Sequence, residues 1–169
     1  MTGARTPQAS TGLCLAEVLV AAVVLALLAG VALQAGISGQ ARLRVESASR
    51  RLLLGLEMGR AAAEQAGQAC GLSLTAAGWH SPSGGELPAC AGVDVALEEG
   101  LTAEGVRLEH NLPAVLRISS TGLVLDGGSV WLRSEGTSLV RCLVVSPPLG
   151  VTRLGREAES GTCLPDPSL

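Results

Sequence analysis

"TGLCLAEVLVAAVVLALLAGVAL", residues 11–33, is an apolar run with a single carboxylate, Glu17, inside it. From Leu13 to Leu33 it holds 21 residues, which as a helix rise about 31 Å, enough to cross the hydrocarbon core of a bilayer. A carboxylate at mid-bilayer costs roughly 2.5–3.5 kcal/mol on insertion scales, so Glu17 calls for a counter-charge or a route to water. The run is long for a cleaved secretory signal, although Gly30-Val31-Ala32 offers small residues near its end. Cys14 stands at its beginning, whereas a lipoprotein signal carries its cysteine after the apolar region. Arg42, Arg44, Arg50 and Arg51 come after the run and only Arg5 precedes it, so the positive-inside rule opposes export of the carboxy-terminal part.

The rest of the 169 residues amounts to one domain. All twelve basic residues are arginine, and the net charge of −3 gives no global field that attracts nucleic acid. Phe and Tyr are absent, and Trp79 and Trp131 are the two large aromatics. A small core of Val, Leu, Ile and Ala gains from cross-links. Four cysteines lie beyond the apolar run, in two local pairs: Cys70 with Cys90, and Cys142 with Cys163. None has the C-x-x-C spacing of a zinc site and the chain has two histidines, which argues against metal. The alternatives are two disulfides in an oxidising compartment or four buried thiols. Of the three possible connectivities, the local one pairs Cys70–Cys90 and Cys142–Cys163. Each loop of roughly 20 residues would stabilise the fold by about 3 kcal/mol on the chain-entropy model.

Past Leu33 the pattern becomes that of an amphipathic helix. Gly36 and Gly39 weaken its start by about 1 kcal/mol each relative to alanine. From Ala41 to about Ala66, Val45, Ala48, Leu52, Leu56, Gly59 and Ala63 recur at spacings of three and four, one apolar stripe suited to packing on a sheet. Glu46 with Arg50, and Arg60 with Glu64, stand at i,i+4 on the wetter side. After Gly67 the helical period ends. "GLSLT", "VDVAL", "AVLRISS", "GLVLD", "SVWLRS", "SLVRCLVVS" and "GVTRL" read as strands bounded by turns. Ser-Thr-Gly and Asp-Gly-Gly within "ISSTGLVLDGGSVWLRS" predict a three-stranded meander, with Leu123 and Leu125 on one face. Trp131 stands opposite Val130 and Leu132, as a surface anchor or as cover for a second layer. Residues 78–92, "GWHSPSGGELPACAG", and the tail "EAESGTCLPDPSL" read as loops tied down by the cysteines.

The segment "G|LCLAEVLVAAVVLALLAGVAL", a glycine followed by an apolar helix with glutamate at its fifth position, resembles the type IV prepilin signal. That resemblance implies a leader, residues 1–12, removed by a prepilin peptidase after Gly12, and N-methylation of the new terminus at Leu13, where the family usually has Phe. It implies that Glu17 pairs with the free amino terminus of a neighbouring subunit. An α-amino group has a pKa near 8 and is mostly cationic at neutral pH. Opposite charges about 4 Å apart attract by roughly 4 kcal/mol at an effective dielectric of 20, and desolvation offsets much of this. The competing account is a glutamate near the membrane edge that reaches water.

The end of the chain, "RCLVVSPPLGVTRLG" after a glycine-bearing meander, looks like the GspH/FimT group of minor pseudopilins and minor pilins over roughly residues 114–156. Some members carry a Gly-Arg-x-Arg element tied to DNA binding. Here Gly150-Val151-Thr152-Arg153 lacks the first arginine, which leaves Arg153 and Arg156 as weak candidates for DNA contacts. Nucleic acid is therefore not the expected partner.

The resemblance implies an α+β fold of the pilin-like kind. A long amino-terminal helix, transmembrane in its first half (13–33) and amphipathic in its second (34–66), would pack on an antiparallel β-rich domain (67–169) with disulfides. The implied function is that of a minor pilin or pseudopilin, a structural subunit of a type IV pilus or a type II secretion pseudopilus. Its implied partners are prepilin peptidase, other subunits of the filament and the inner membrane, crossed once with the carboxy-terminal domain in the periplasm. The alternatives are a DNA-binding minor pilin for uptake and an unrelated membrane-anchored exoplasmic domain. No cofactor and no catalysis are expected, since there is no G-x-S-x-G elbow, H-E-x-x-H or glycine-rich phosphate loop. His80 and His110 read as exposed loop residues, and Glu98-Glu99 and Glu157/Glu159 as solvated charge rather than calcium ligands.

Overall fold

A computed structural model describes residues 15–97, 105–147, 150–158 and 161–166, with residues 31–38 described as backbone alone. Helix α1 runs over Leu15–Ala66. The strands among the described residues are β1 (Cys70–Thr75), β2 (Gly78–His80), β3 (Val95–Ala96), β4 (Val106–His110), β5 (Leu116–Ile118), β6 (Gly128–Ser134), β7 (Arg141–Ser146), β8 (Val151–Glu157) and β9 (Cys163–Pro165). They form two antiparallel sheets, one in the order β3-β2-β1-β5 and the other β4-β6-β7-β8-β9. The chain divides into two compact units, Met1–Ile37 and Ser38–Leu169.

The expected architecture is corrected on three counts. Among the described residues no helix is long and apolar enough to cross a membrane. The expected transmembrane span over residues 13–33 is not supported. The inner-membrane, single-pass placement rested on that span and falls with it. Second, the boundary at Ile37/Ser38 places the later part of α1 in one compact unit with the strands, where residues 34–66 were expected as an element apart from the β-rich domain. Third, the single meander is replaced by two sheets: β5 is an edge of the first and β6 an inner strand of the second. "GLVLD" forms no strand; Val124 makes an isolated bridge to Ile118, and Leu123 and Leu125 face outward.

In the unit from Ser38 onward, the stripe Val45, Ala48, Leu52, Leu56 and Ala63 is buried in one core with side chains of both sheets. The first sheet contributes Leu72, Leu74, Trp79, Leu116 and Ile118, and the second contributes Val130, Leu132, Leu143 and Val145. Trp79 is 1% exposed, and its indole N–H donates to the Leu52 carbonyl over 2.7 Å. Gly55 makes this seat possible, since a Cβ there would stand 2.1 Å from Trp79 Cδ1. Residue 79 therefore lies at the centre of the core, not in an irregular loop. The first strand after the helix and the hairpin strand that carries Trp79 pair in the register Leu74↔Trp79.

Two disulfides are present, Cys70–Cys90 and Cys142–Cys163. The first ties β1 to the segment after β2, where Cys90 N–H donates to the Gly71 carbonyl and Gly71 N–H to the Pro88 carbonyl. The second joins β7 to β9, with β8 between them in the sheet order. Gly155 of β8 sits opposite Cys142 and Pro165 and leaves room for the crossing, since a Cβ there would lie 3.1 Å from Cys163 Sγ and 2.1 Å from the Leu164 carbonyl oxygen. The tail that reads as a loop thus ends as an edge strand.

Candidate functional site

Every side chain from Leu15 to Gly30 is exposed. Leu15 is 78% exposed, Leu27 68% and Val20 64%, and the sequence over this stretch is apolar apart from Glu17. A helix that is apolar all round does not remain in water, because exposed apolar patches beyond a few hundred Å² mark surfaces that other molecules cover. Glu17, Val20, Ala21 and Val24 are spaced so that they share a face, and with Ala16 and Leu25 they line a shallow groove. Glu17 is the one charged residue of that lining. Gly12, Leu13 and Cys14 lie outside the described residues, as do Glu98, Glu99 and Glu159.

A second cluster of charge lies in the β-bearing unit. The guanidinium of Arg141, buried on β7, donates to Asp166 over 2.8 Å and to Glu46 of α1 over 3.4 Å. Arg42 also donates to Glu46 and Arg156 contacts Asp166, so helix, strand and carboxy-terminal segment share one ionic network. The hydrogen bond from Arg42, reinforced by both arginines' charge, holds the Glu46 carboxyl below its ordinary range. Asp126 is lowered in the same way by hydrogen bonds from Arg117, which donates through its side chain and its backbone N–H.

Charges on the helix find partners other than those their spacing suggests. Glu46 pairs with Arg42 and Arg141 rather than Arg50, and Arg60 pairs with Glu57 rather than Glu64. Arg60 also donates to the Gly150 carbonyl. Arg50 is left lining a groove on the outer side of α1, a feature the i,i+4 reading concealed by giving Arg50 a partner.

Arg153 and Arg156 do not form one basic patch. Three residues apart on β8, they point to opposite faces of the sheet, and Arg156 is held by Asp166. His80 lies on β2, half-buried, with Nδ1 3.2 Å from the Gly78 carbonyl. His110 ends β4 and is exposed. Both histidines are on strands, where the sequence pattern predicts loops. Among the described residues no group of three or more His, Cys, Asp or Glu side chains is placed to hold a metal ion.

No protein-family model matches the chain, and no curated protein and no solved structure matches it.

Proposed function

We propose that the chain is a pilin-like structural subunit, a minor pilin or pseudopilin of a type IV pilus or a type II secretion pseudopilus. In this reading a prepilin peptidase cuts after Gly12, and the mature chain assembles with other subunits through its apolar helical segment. The observation that carries the reading is the segment Leu15–Gly30, exposed throughout and apolar except for Glu17. Burial of such a surface stabilises assembly by roughly 25 cal/mol per Å² of apolar area. One acidic group in an otherwise apolar contact adds register to it, because a carboxylate buried away from a cation is unfavourable while a paired one is tolerated. The glycine-to-glutamate spacing supports processing at that glycine. The disulfide-linked β-bearing unit suits a domain that works in an oxidising compartment.

Mass spectrometry of the amino terminus tests the reading. Produced beside an active prepilin peptidase, the protein yields a chain that begins at a methylated Leu13. A precursor left intact beside a peptidase that processes a control substrate overturns it.

A further inference from the structure

We infer that the Cys142–Cys163 bond is a redox-sensitive clasp: a dithiol cleaves it while Cys70–Cys90 stays intact, and β9 then leaves the edge of β8. The two disulfides are unlike in access. Cys70 and Cys90 are 5% and 2% exposed and belong to the core shared by α1 and both sheets. Cys142 is 1% exposed, but its partner Cys163 is half-buried, between the exposed Thr162 and Leu164. The Cys163 sulfur lies over Gly155, on the face of the second sheet opposite the core residues Leu143 and Val145. Thiol–disulfide exchange needs a thiolate to reach one of the two sulfurs, so access selects this bond. The other is reached only when the core opens.

What each bond holds differs as well. Cys70–Cys90 joins β1 to a segment that two backbone hydrogen bonds also secure, from Cys90 to Gly71 and from Gly71 to Pro88. β9 ends its sheet, is three residues long and includes Pro165, which has no N–H to give. Leu164 at its centre is 53% exposed, so apolar burial does little to retain it. The strand is fixed at its two ends. Cys163 is bonded to Cys142, and Asp166 accepts from Arg141 over 2.8 Å, contacts Arg156 and donates its own N–H to the Leu154 carbonyl. Asp166 also shares a groove with Leu53 and Leu54 of α1 and Leu154 of β8. Without the disulfide the segment frays from β8 and carries Asp166 out of that groove, which opens the joint between helix and sheet.

A dithiol completes the chemistry. One of its thiolates attacks Cys163 Sγ to form a mixed disulfide, and Cys142 leaves as a thiolate. The second thiol of the reductant then displaces Cys163. Two protein thiols result, each taking up one of the two protons given up by the dithiol, which is oxidised to its own disulfide.

The test is partial reduction of the folded full-length chain by dithiothreitol at neutral pH, followed by iodoacetamide labelling and mass mapping of each cysteine. Cys142 and Cys163 should be labelled at least about tenfold faster than Cys70 and Cys90, because one pair is reached from the folded state and the other through opening of the core. Hydrogen exchange of the partly reduced chain should rise in β9 and over Gly155–Glu157 and stay unchanged in β1. Cys142→Ser with Cys163→Ser should show the same exchange pattern without reductant. Labelling of both pairs at one rate, or of Cys70 and Cys90 first, overturns the inference. So does selective cleavage after which β9 exchanges as before. Cleavage after Gly12 is read separately at the amino terminus and stands or falls on its own.

Discussion

One helix carries two unlike surfaces. From Leu15 to Gly30 its side chains are apolar, Glu17 apart, and exposed in every direction. From Ala41 to Ala63 the apolar stripe turns to one side and is buried. The difference lies in sequence period, not in hydrophobicity. A 3.6-residue period directs a helix's apolar side at one neighbour, and here the neighbour is the chain's own pair of sheets. Without a period no single face can satisfy the segment, and the burial has to come from elsewhere. The later half of α1 therefore contributes to folding, and the earlier half to whatever association the chain enters.

This contrast can be broken experimentally, and the largest effect is expected in the buried half. Trp79→Ala removes the side chain seated on Gly55 and the hydrogen bond to Leu52, so it should cost about 4 kcal/mol in denaturant unfolding of the full chain. Loss of the β7–β9 crossing, by Cys142→Ser with Cys163→Ser, should cost about 3 kcal/mol and leave α1 and the first sheet in place. Hydrogen exchange that loosens β9 first would show this. Asp166→Asn leaves Arg141 with Glu46 alone and should cost about 2 kcal/mol, read as a lower melting temperature at neutral pH.

Acid gives a smaller effect whose sign is fixed. Glu46 and Asp126 have folded-state pKa values below their ordinary ones, so the stability they add is complete above the unfolded value, near 4. It is lost as pH falls from there through the lowered folded values. Melting temperatures measured from pH 5 downward should fall less steeply in Glu46→Gln and in Asp126→Asn than in the natural chain. The smallest effect is expected in the exposed half. Leu27→Asn should change unfolding stability by no more than about 0.5 kcal/mol, yet weaken association between copies. A large loss of stability from that substitution would contradict this division of the helix.

Much of the buried half is legible in the sequence because helical period and burial are two views of one geometry. Val45, Ala48, Leu52 and Leu56 mark the core side by their spacing alone. The disulfide pairing is legible for a different reason, since loops of this length close easily and leave one local solution. Features set by distant partners stay hidden. "VRLEH" forms β4, but as an edge strand its Arg107, Glu109 and His110 are polar and mask the strand signal. β9 includes a proline and is three residues long, which reads as a loop yet is permitted at an edge. Turn signals around Gly122 and Gly127 predict reversals and cannot say that the chain changes sheet between β5 and β6. The role of Gly55 is set by Trp79, 24 positions later, which fills the space over it. For the candidate site, the carboxylate in the apolar run stands out at once, whereas the unpaired Arg50 emerges only when Glu46 is seen to turn toward Arg141.

The seating of Trp79 also supplies a spectroscopic handle. The chain has no tyrosine and two tryptophans, one on each sheet: Trp79 enclosed in the core on β2, and Trp131 half-buried on β6. Their indole fluorescence separates by colour, bluer from the enclosed ring and redder from the wetter one. Replacing either ring with phenylalanine leaves a single emitter, so the melting of each layer can be followed optically without a dye.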